Sequence, residues 1–196
     1  MTREERMTTN IAIRSAIVAI DEIMGNNATK IFFSKAGQIG LYDNPPDYTF
    51  NPCIKVSEQA AIYRAIMNLM GYNGGIVLWR RIGYALMKNA VEIGHILDSF
   101  ASLPPEEKFN KGMEIFVIGS GKGKLITDAG GLPELDSFDC FSCEGYSYKR
   151  PVCAHYEGVM QYLSDWAFGK DAYTAREVLC KAKGDNTCYV KLVKKE

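Results

Sequence analysis

The cysteines of this 196-residue chain constrain its fold more than any other feature. Five of the six lie between positions 140 and 188, as Cys140, Cys143, Cys153, Cys180 and Cys188, and Glu177 stands just ahead of the last pair. Thiols crowded near turns, with a carboxylate close by, predict a small metal-stabilised region. Zinc is the metal first expected, because thiolates and a carboxylate complete its four-coordinate shell. A filled shell of that kind is structural, since it leaves no position for substrate or activated water.

Spacing alone leaves the shell open. Cys180 and Cys188 flank KAKGDNT, a turn with glycine and Asx chemistry that can bring two strand-end thiolates together. Cys153 precedes a predicted helix, whose N-terminus favours a thiolate. Glu177 offers a fourth, harder ligand. A straight strand would point Glu177 and Cys180 to opposite faces, so this set requires a bulge or a strand ending near Val178. The rival set is Cys140, Cys143, Cys153 and one of Cys180 or Cys188, because Cys-x2-Cys is the commoner knuckle spacing. His155 is an alternative ligand, although a lone histidine is more often a packing residue. Buried thiols acting as small hydrophobes, or a redox dithiol at Cys140 and Cys143, compete with the metal reading. Glu144-Gly145 and Lys149-Arg150 do not supply the strand-to-helix setting of a thioredoxin dithiol, and no multi-cysteine run matches an iron–sulfur centre. Cys53 stands apart and reads as a packed thiol; His95, beside a greasy helix, reads as structural.

Composition narrows the function classes. Lys plus Arg and Asp plus Glu are 23 each, so formal net charge is zero, and nothing draws the chain to nucleic acid. The hydrophobic share of 47% supports a sizeable core in a single domain. The charged start MTREERMTTN lacks the apolar stretch of a signal peptide. No run is long and apolar enough for a membrane span. A cytoplasmic, reducing location is the expectation, which favours free or metal-bound thiols over disulfides. The sequon at Asn27 is then a chance match.

Periodicity predicts helices at 10–24, 28–37, 57–70, about 76–94 and 153–168. Strands are predicted at 113–118, 124–127, 173–179 and 188–193. Tyr42 to Asp47 is a proline-rich loop. The cluster GSGKGKL fails as a phosphate loop, because Ile118 and Leu125 occupy the places of the required glycine and hydroxyl residue. Helices followed by a mainly antiparallel sheet with one helix inserted make an α+β pattern.

The segments Lys149-Arg-Pro-Val-Cys153, Gly158, Arg176-Glu177-Val-Leu-Cys180 and Lys183-Gly-Asp-Asn-Thr-Cys188-Tyr-Val-Lys, with Arg80-Arg-Ile-Gly83 upstream, resemble the 4-vinyl reductase domain family. The resemblance spans roughly residues 8 to 193. It implies an α+β fold with N-terminal helices and an antiparallel sheet, the NO-signalling/Golgi-transport ligand-binding fold shared with TRAPP-type trafficking subunits and aromatic-sensing input domains. It implies one domain over 1–196, with 1–70 a helical N-terminal extension and 140–188 the metal region. It further implies a zinc shell of Cys153, Glu177, Cys180 and Cys188, with Cys140 and Cys143 as additional metal or redox groups. A homodimer is implied too, with a hydrophobic pocket for which Phe116, Tyr146, Tyr156, Met160 and Trp166 are the candidate lining.

The sequence carries no evident general base, nucleophile pair or hydride-cofactor fingerprint, so no catalytic residue is assigned. The leading expectation is a non-enzymatic, zinc-stabilised binding or sensor domain for a hydrophobic ligand, acting through an unknown downstream protein. The alternatives are a tetrapyrrole carrier or accessory protein in (bacterio)chlorophyll-type synthesis, and a structural dimeric assembly module.

Overall fold

The computed structural model describes residues 6–121, 123–127, 131–138, 140, 142–143 and 145–195. Lys122 of the glycine-lysine cluster, Glu144 beside Cys143, and positions 1–5 and 196 lie outside the described residues.

The chain begins with β1 (Met7–Thr9), α1 (Asn10–Met24), α2 (Asn26–Lys35) and the short α3 (Ile39–Asp43). The stripe Ile13, Ile17 and Ile20 is buried, as its helical spacing predicts. A short strand β2 (Pro52–Lys55), not expected from the sequence, pairs antiparallel with β1. The long α4 (Val56–Glu92) follows. Its start is held by the Glu58 carboxylate, which accepts a hydrogen bond from the Lys55 backbone N–H at 2.8 Å.

The two helices predicted around residue 71 form one run broken at Gly71, where φ is +66°. Only glycine adopts that backbone freely. The arms fold back on each other there: Met67 meets Gly75, and the Trp79 indole N–H donates to the Tyr63 carbonyl at 3.2 Å.

One element corrects the sequence reading. Residues 113–118, expected as a strand, lie inside α5 (Pro105–Ser120). Pro105 in the first turn and Glu106 and Glu107 beside it favour a helix start. Phe109, Gly112, Met113 and Phe116 bury one helical face, and this longer period outweighs the local strand propensity of Ile115, Val117 and Ile118.

The remaining elements are β3 (Lys124–Thr127), β4 (Pro133–Ser137), α6 (Ala154–Phe168), β5 (Tyr173–Leu179) and β6 (Cys188–Lys194). The strands form one antiparallel sheet in the order β3-β4-β6-β5. β4 was not foreseen. The fold class is α+β: N-terminal helices with a small antiparallel sheet, as expected.

Helix α6 is the hub, packed between α4, α5 and the sheet. Gly83 and Gly158 let α4 and α6 meet backbone to backbone. A Cβ at Gly83 would collide with the His155 carbonyl, and one at Gly158 with the Arg80 carbonyl. Among the described residues no helix is long and apolar enough to cross a membrane.

Candidate functional site

Two features meet at the first turn of α6: a cluster of buried thiols and an apolar cavity. The thiols arrive from four places. Cys140 and Cys143 sit in the loop after β4, Cys153 is the residue before α6, Cys180 directly follows β5, and Cys188 opens β6. All five are free and buried. The Cys140 and Cys153 sulfurs are 3.4 Å apart, those of Cys143 and Cys188 3.4 Å, and those of Cys153 and Cys188 3.6 Å.

Local chemistry explains the convergence. Asp185 accepts the Cys180 N–H at 2.7 Å, closing the turn between β5 and β6, and Gly184 takes the left-handed conformation that turn needs. The Lys181 N–H points at the Cys188 sulfur at 3.4 Å. The loop carrying Cys143 is tied to the same turn by the Tyr148 N–H donating to the Ala182 carbonyl at 2.8 Å. The required bulge is present: the β5–β6 register shifts between Glu177 and Leu179. Glu177 can therefore face Cys153 while Cys180 reaches the cluster.

Glu177 is buried, and its Oε2 accepts the Cys153 N–H at 2.8 Å. Its Oε1 has no hydrogen-bond partner among the described residues. Burial, then the neighbouring Cys180 charge, push its carboxyl up to about 10. Hydrogen bonds from neighbouring thiols, Cys143 first, hold Cys140 and Cys180 below the ordinary thiol range. Burial pushes Cys153 up, and hydrogen bonding, to Cys140 first, pushes Cys188 up.

Both ligand sets considered from spacing are assembled. Cys153, Glu177, Cys180 and Cys188 have donor atoms all within 4.8 Å of one another, and so do Cys140, Cys143, Cys153 and Cys188. His155 is not in either set. Its ring stacks on Tyr156 at 3.9 Å and packs against Tyr63 and Trp79 at 5.1 and 5.5 Å. His95 lies at the surface, its Nδ1 3.1 Å from Asp98. Cys53 is half-buried in β2, far along the chain from the cluster.

The cavity lies on the other side of that turn. Its wall is built by Ile11 and Ala12 of α1, Gln59, Tyr63, Leu86, Met87 and Ala90 of α4, Ile115, Phe116, Gly119 and Ser120 of α5, and His155 and Val159 of α6, with Phe50 from the loop before β2 and Ile96 from the loop after α4. The empty space in it, counted out through its open side, is about 500 Å³.

Of the five pocket residues expected, Phe116 is on this wall. Tyr156 and Met160 are fully buried in the core on the sheet side, and Phe116 touches Tyr156 ring to ring with centroids 6.3 Å apart. Tyr146 is half-buried, its hydroxyl donating to the Arg64 carbonyl at 3.3 Å. Trp166 is half-buried beneath the Lys108 ammonium, 4.6 Å from the ring centre. Sequence reasoning missed Tyr63, Gln59, Met87 and His155. They stand on faces of α4 and α6 that look like ordinary core, and only helix crossing brings them together.

No protein-family model matches the chain, and no curated protein matches it. Solved structures do match along nearly its whole length. A structure described as "Modulating Heme Redox Potential Through Protein-Induced Porphyrin Distortion" has a TM-score of 0.59 at 16% identity, covering 94% of this chain and 98% of its own. A singly substituted Tt H-NOX has a TM-score of 0.59 at 16% identity, with 96% of each chain covered. A doubly substituted Tt H-NOX has a TM-score of 0.57 at 16% identity, with 96% of each covered. These findings correct the resemblance to the 4-vinyl reductase family and to TRAPP-type subunits: the architecture matched is that of H-NOX. They also correct the zinc expectation. Zinc was expected from the thiol pattern and sharpened by that resemblance, whereas the structures matched include one described by its heme. Six donors stand in two overlapping groups of four that share Cys153 and Cys188. At 16% identity the likeness establishes the fold: this chain has the H-NOX architecture.

Proposed function

We propose that this protein is a non-catalytic, ligand-binding domain of the sensor type, and that its ligand is a hydrophobic molecule of the tetrapyrrole class held in the cavity between α1, α4, α5 and α6. The observation that carries this reading is an apolar, aromatic and methionine-lined cavity with one imidazole on its wall, in a chain with the H-NOX architecture. The whole chain acts as one unit, because the N-terminal helices supply part of the wall and α6 joins the cavity to the thiol cluster.

One wall residue, His155, would hold the iron of a haem once its ring leaves the stack on Tyr156, and Phe116 and Met87 would pack against the macrocycle. A haem bound through His155 would supply an iron centre able to take up a small diatomic ligand. The free space is smaller than a macrocycle. Entry requires the wall to part, and Phe50, 44% exposed, is the wall residue least held by packing. Among the described residues no Lys or Arg lines the cavity, so carboxylate substituents would have to project to solvent through that side.

The limited space favours a second reading, a flat aromatic ligand of one or two rings. Titration separates the two. Haemin and metal-free protoporphyrin are added to the purified protein, and absorption and tryptophan fluorescence are read. The expected result is saturable binding of both, with His155→Ala weakening haemin at least tenfold and leaving protoporphyrin unchanged. Ala90→Phe, which fills the cavity, should weaken both. Binding of naphthalene-sized aromatics without either macrocycle would move the assignment to the second reading. No saturable binding of any of them would end the sensor reading.

A homodimer belongs to the same proposal. Its support is the apolar surface around the Gly71 bend, where Leu69, Met70 and Val77 are exposed.

A further inference from the structure

We propose that the thiol cluster at the start of α6 binds two thiophilic metal ions at once, with the Cys153 and Cys188 sulfurs bridging them. Cys140 and Cys143 complete one shell. Glu177 and Cys180 complete the other. The proposal does not depend on what the cavity binds.

The donors fall into two quartets, each with all its atoms within 4.8 Å, and Cys153 and Cys188 belong to both. The six together do not form one such group, so a single ion cannot take them all. Two four-coordinate ions need eight ligand places. Four terminal donors and two bridging sulfurs, each counted twice, fill them.

The spacings fit. A metal–sulfur bond of about 2.3 Å in a tetrahedral shell puts neighbouring sulfurs about 3.8 Å apart. The observed separations are 3.4, 3.4 and 3.6 Å, and each bridging sulfur has a terminal thiol of the first shell at 3.4 Å. Sulfurs this close do not suit the corners of an iron–sulfur cluster, which inorganic sulfide holds apart.

The second shell has its own evidence. Glu177 Oε1 is buried and unpartnered, while Oε2 is fixed by the Cys153 N–H. A buried carboxylate oxygen without a partner is costly, and a metal ion satisfies it. The Lys181 N–H aimed at the Cys188 sulfur supports the charge on a bridging thiolate. One ion in either quartet would leave the other pair of terminal donors buried and without metal.

Charge also favours two ions. Five thiolates and one carboxylate carry six negative charges. Two divalent ions supply four positive ones, and the α6 N-terminus offsets part of the remainder. On binding, the thiol protons pass to solvent and no electron is transferred.

Cobalt(II) titration of the reduced full chain without oxygen tests this. Native mass spectrometry gives the stoichiometry, thiolate-to-cobalt charge-transfer absorption reports the ligands, and electron paramagnetic resonance reports coupling. The expected result is two cobalt ions per chain, with a high-spin signal that grows to the first equivalent and falls as the second couples through the bridges. The double variant Cys140→Ser, Cys143→Ser should hold one ion and keep its signal. So should Glu177→Gln with Cys180→Ser. Circular dichroism confirms that each variant is folded, and a variant that is not leaves the native titration as the deciding measurement. One ion in the native chain, or two without coupling, overturns the proposal. So does native protein carrying iron with acid-labile sulfide.

Discussion

Tyr84 shows how a single side chain ties two helices together through chemistry that pH can read. Its hydroxyl donates to Asp165 of α6 at 3.1 Å, and its ring meets Tyr162 edge-on with centroids 5.3 Å apart. Burial, then the Asp165 charge, push its phenol from 10.0 up to about 12. The folded state therefore holds this proton more tightly than the unfolded chain does. The resulting stability is fully present below pH 10 and is lost as pH rises through about 12. In urea melts between pH 9 and 12, Tyr84→Phe should flatten part of the alkaline decline. Burial raises Tyr63 and Tyr162 as well, so some decline remains. An unchanged pH profile in the variant would remove Tyr84 from this role. Glu157 is a second such residue: its Oε2 accepts from the Arg80 Nε at 2.9 Å and its Oε1 from the Glu177 N–H at 2.8 Å. It links α4, α6 and β5 just behind the thiol cluster.

At the scale of elements, the crossing of α4 and α6 is the decisive contact. Gly83 and Gly158 stand on opposite sides of it, each facing a backbone carbonyl of the other helix. A backbone atom cannot swing away as a side-chain tip can, so an added methyl must push the helices apart. Gly83→Ala and Gly158→Ala should each cost about 3 kcal/mol, the upper end for overpacking, in thermal or denaturant unfolding. Together they should cost less than the sum, because one separation relieves both clashes. A loss below about 1 kcal/mol for either would show that the crossing is loose. The same elements show what periodicity can decide. The α1 stripe, the α6 stripe and the strands around KAKGDNT were legible, because each has an apolar period and a strong stop signal. Residues 113–118 were misread because a short β-branched run fits both periods, and the helix is fixed by Pro105, eight residues upstream, and by burial against α6. The strands β1, β2 and β4 are short and take their register from partners distant in sequence.

Among the described residues, α6 packs on one side against β5 and β6 of the sheet and on the other against α4 and α5, which wall the cavity. The exposed apolar patch at the Gly71 bend should mediate self-association. Sedimentation of the native chain should give a dimer, and Leu69→Glu with Val77→Glu should give a folded monomer. A native monomer at micromolar concentration would remove the dimer from the proposal.

The sequence by itself determined the α+β class, the helices with clear stripes, and the need for a bulge or an early strand end in any site using both Glu177 and Cys180. Those are local matters, set by period, turn chemistry and side-chain direction. Only the tertiary structure decided that Cys140 and Cys143 join the other thiols, since the 45 residues separating Cys143 from Cys188 say nothing of a 3.4 Å contact. It alone decided where the cavity lies, because that wall is made of ordinary core positions from α1, α4, α5 and α6. The architecture that the resemblance implied, the NO-signalling ligand-binding fold, agrees with the solved structures matched in three dimensions. At 16% identity to the structures it matches, the pattern of packing persists after the sequence signal has faded.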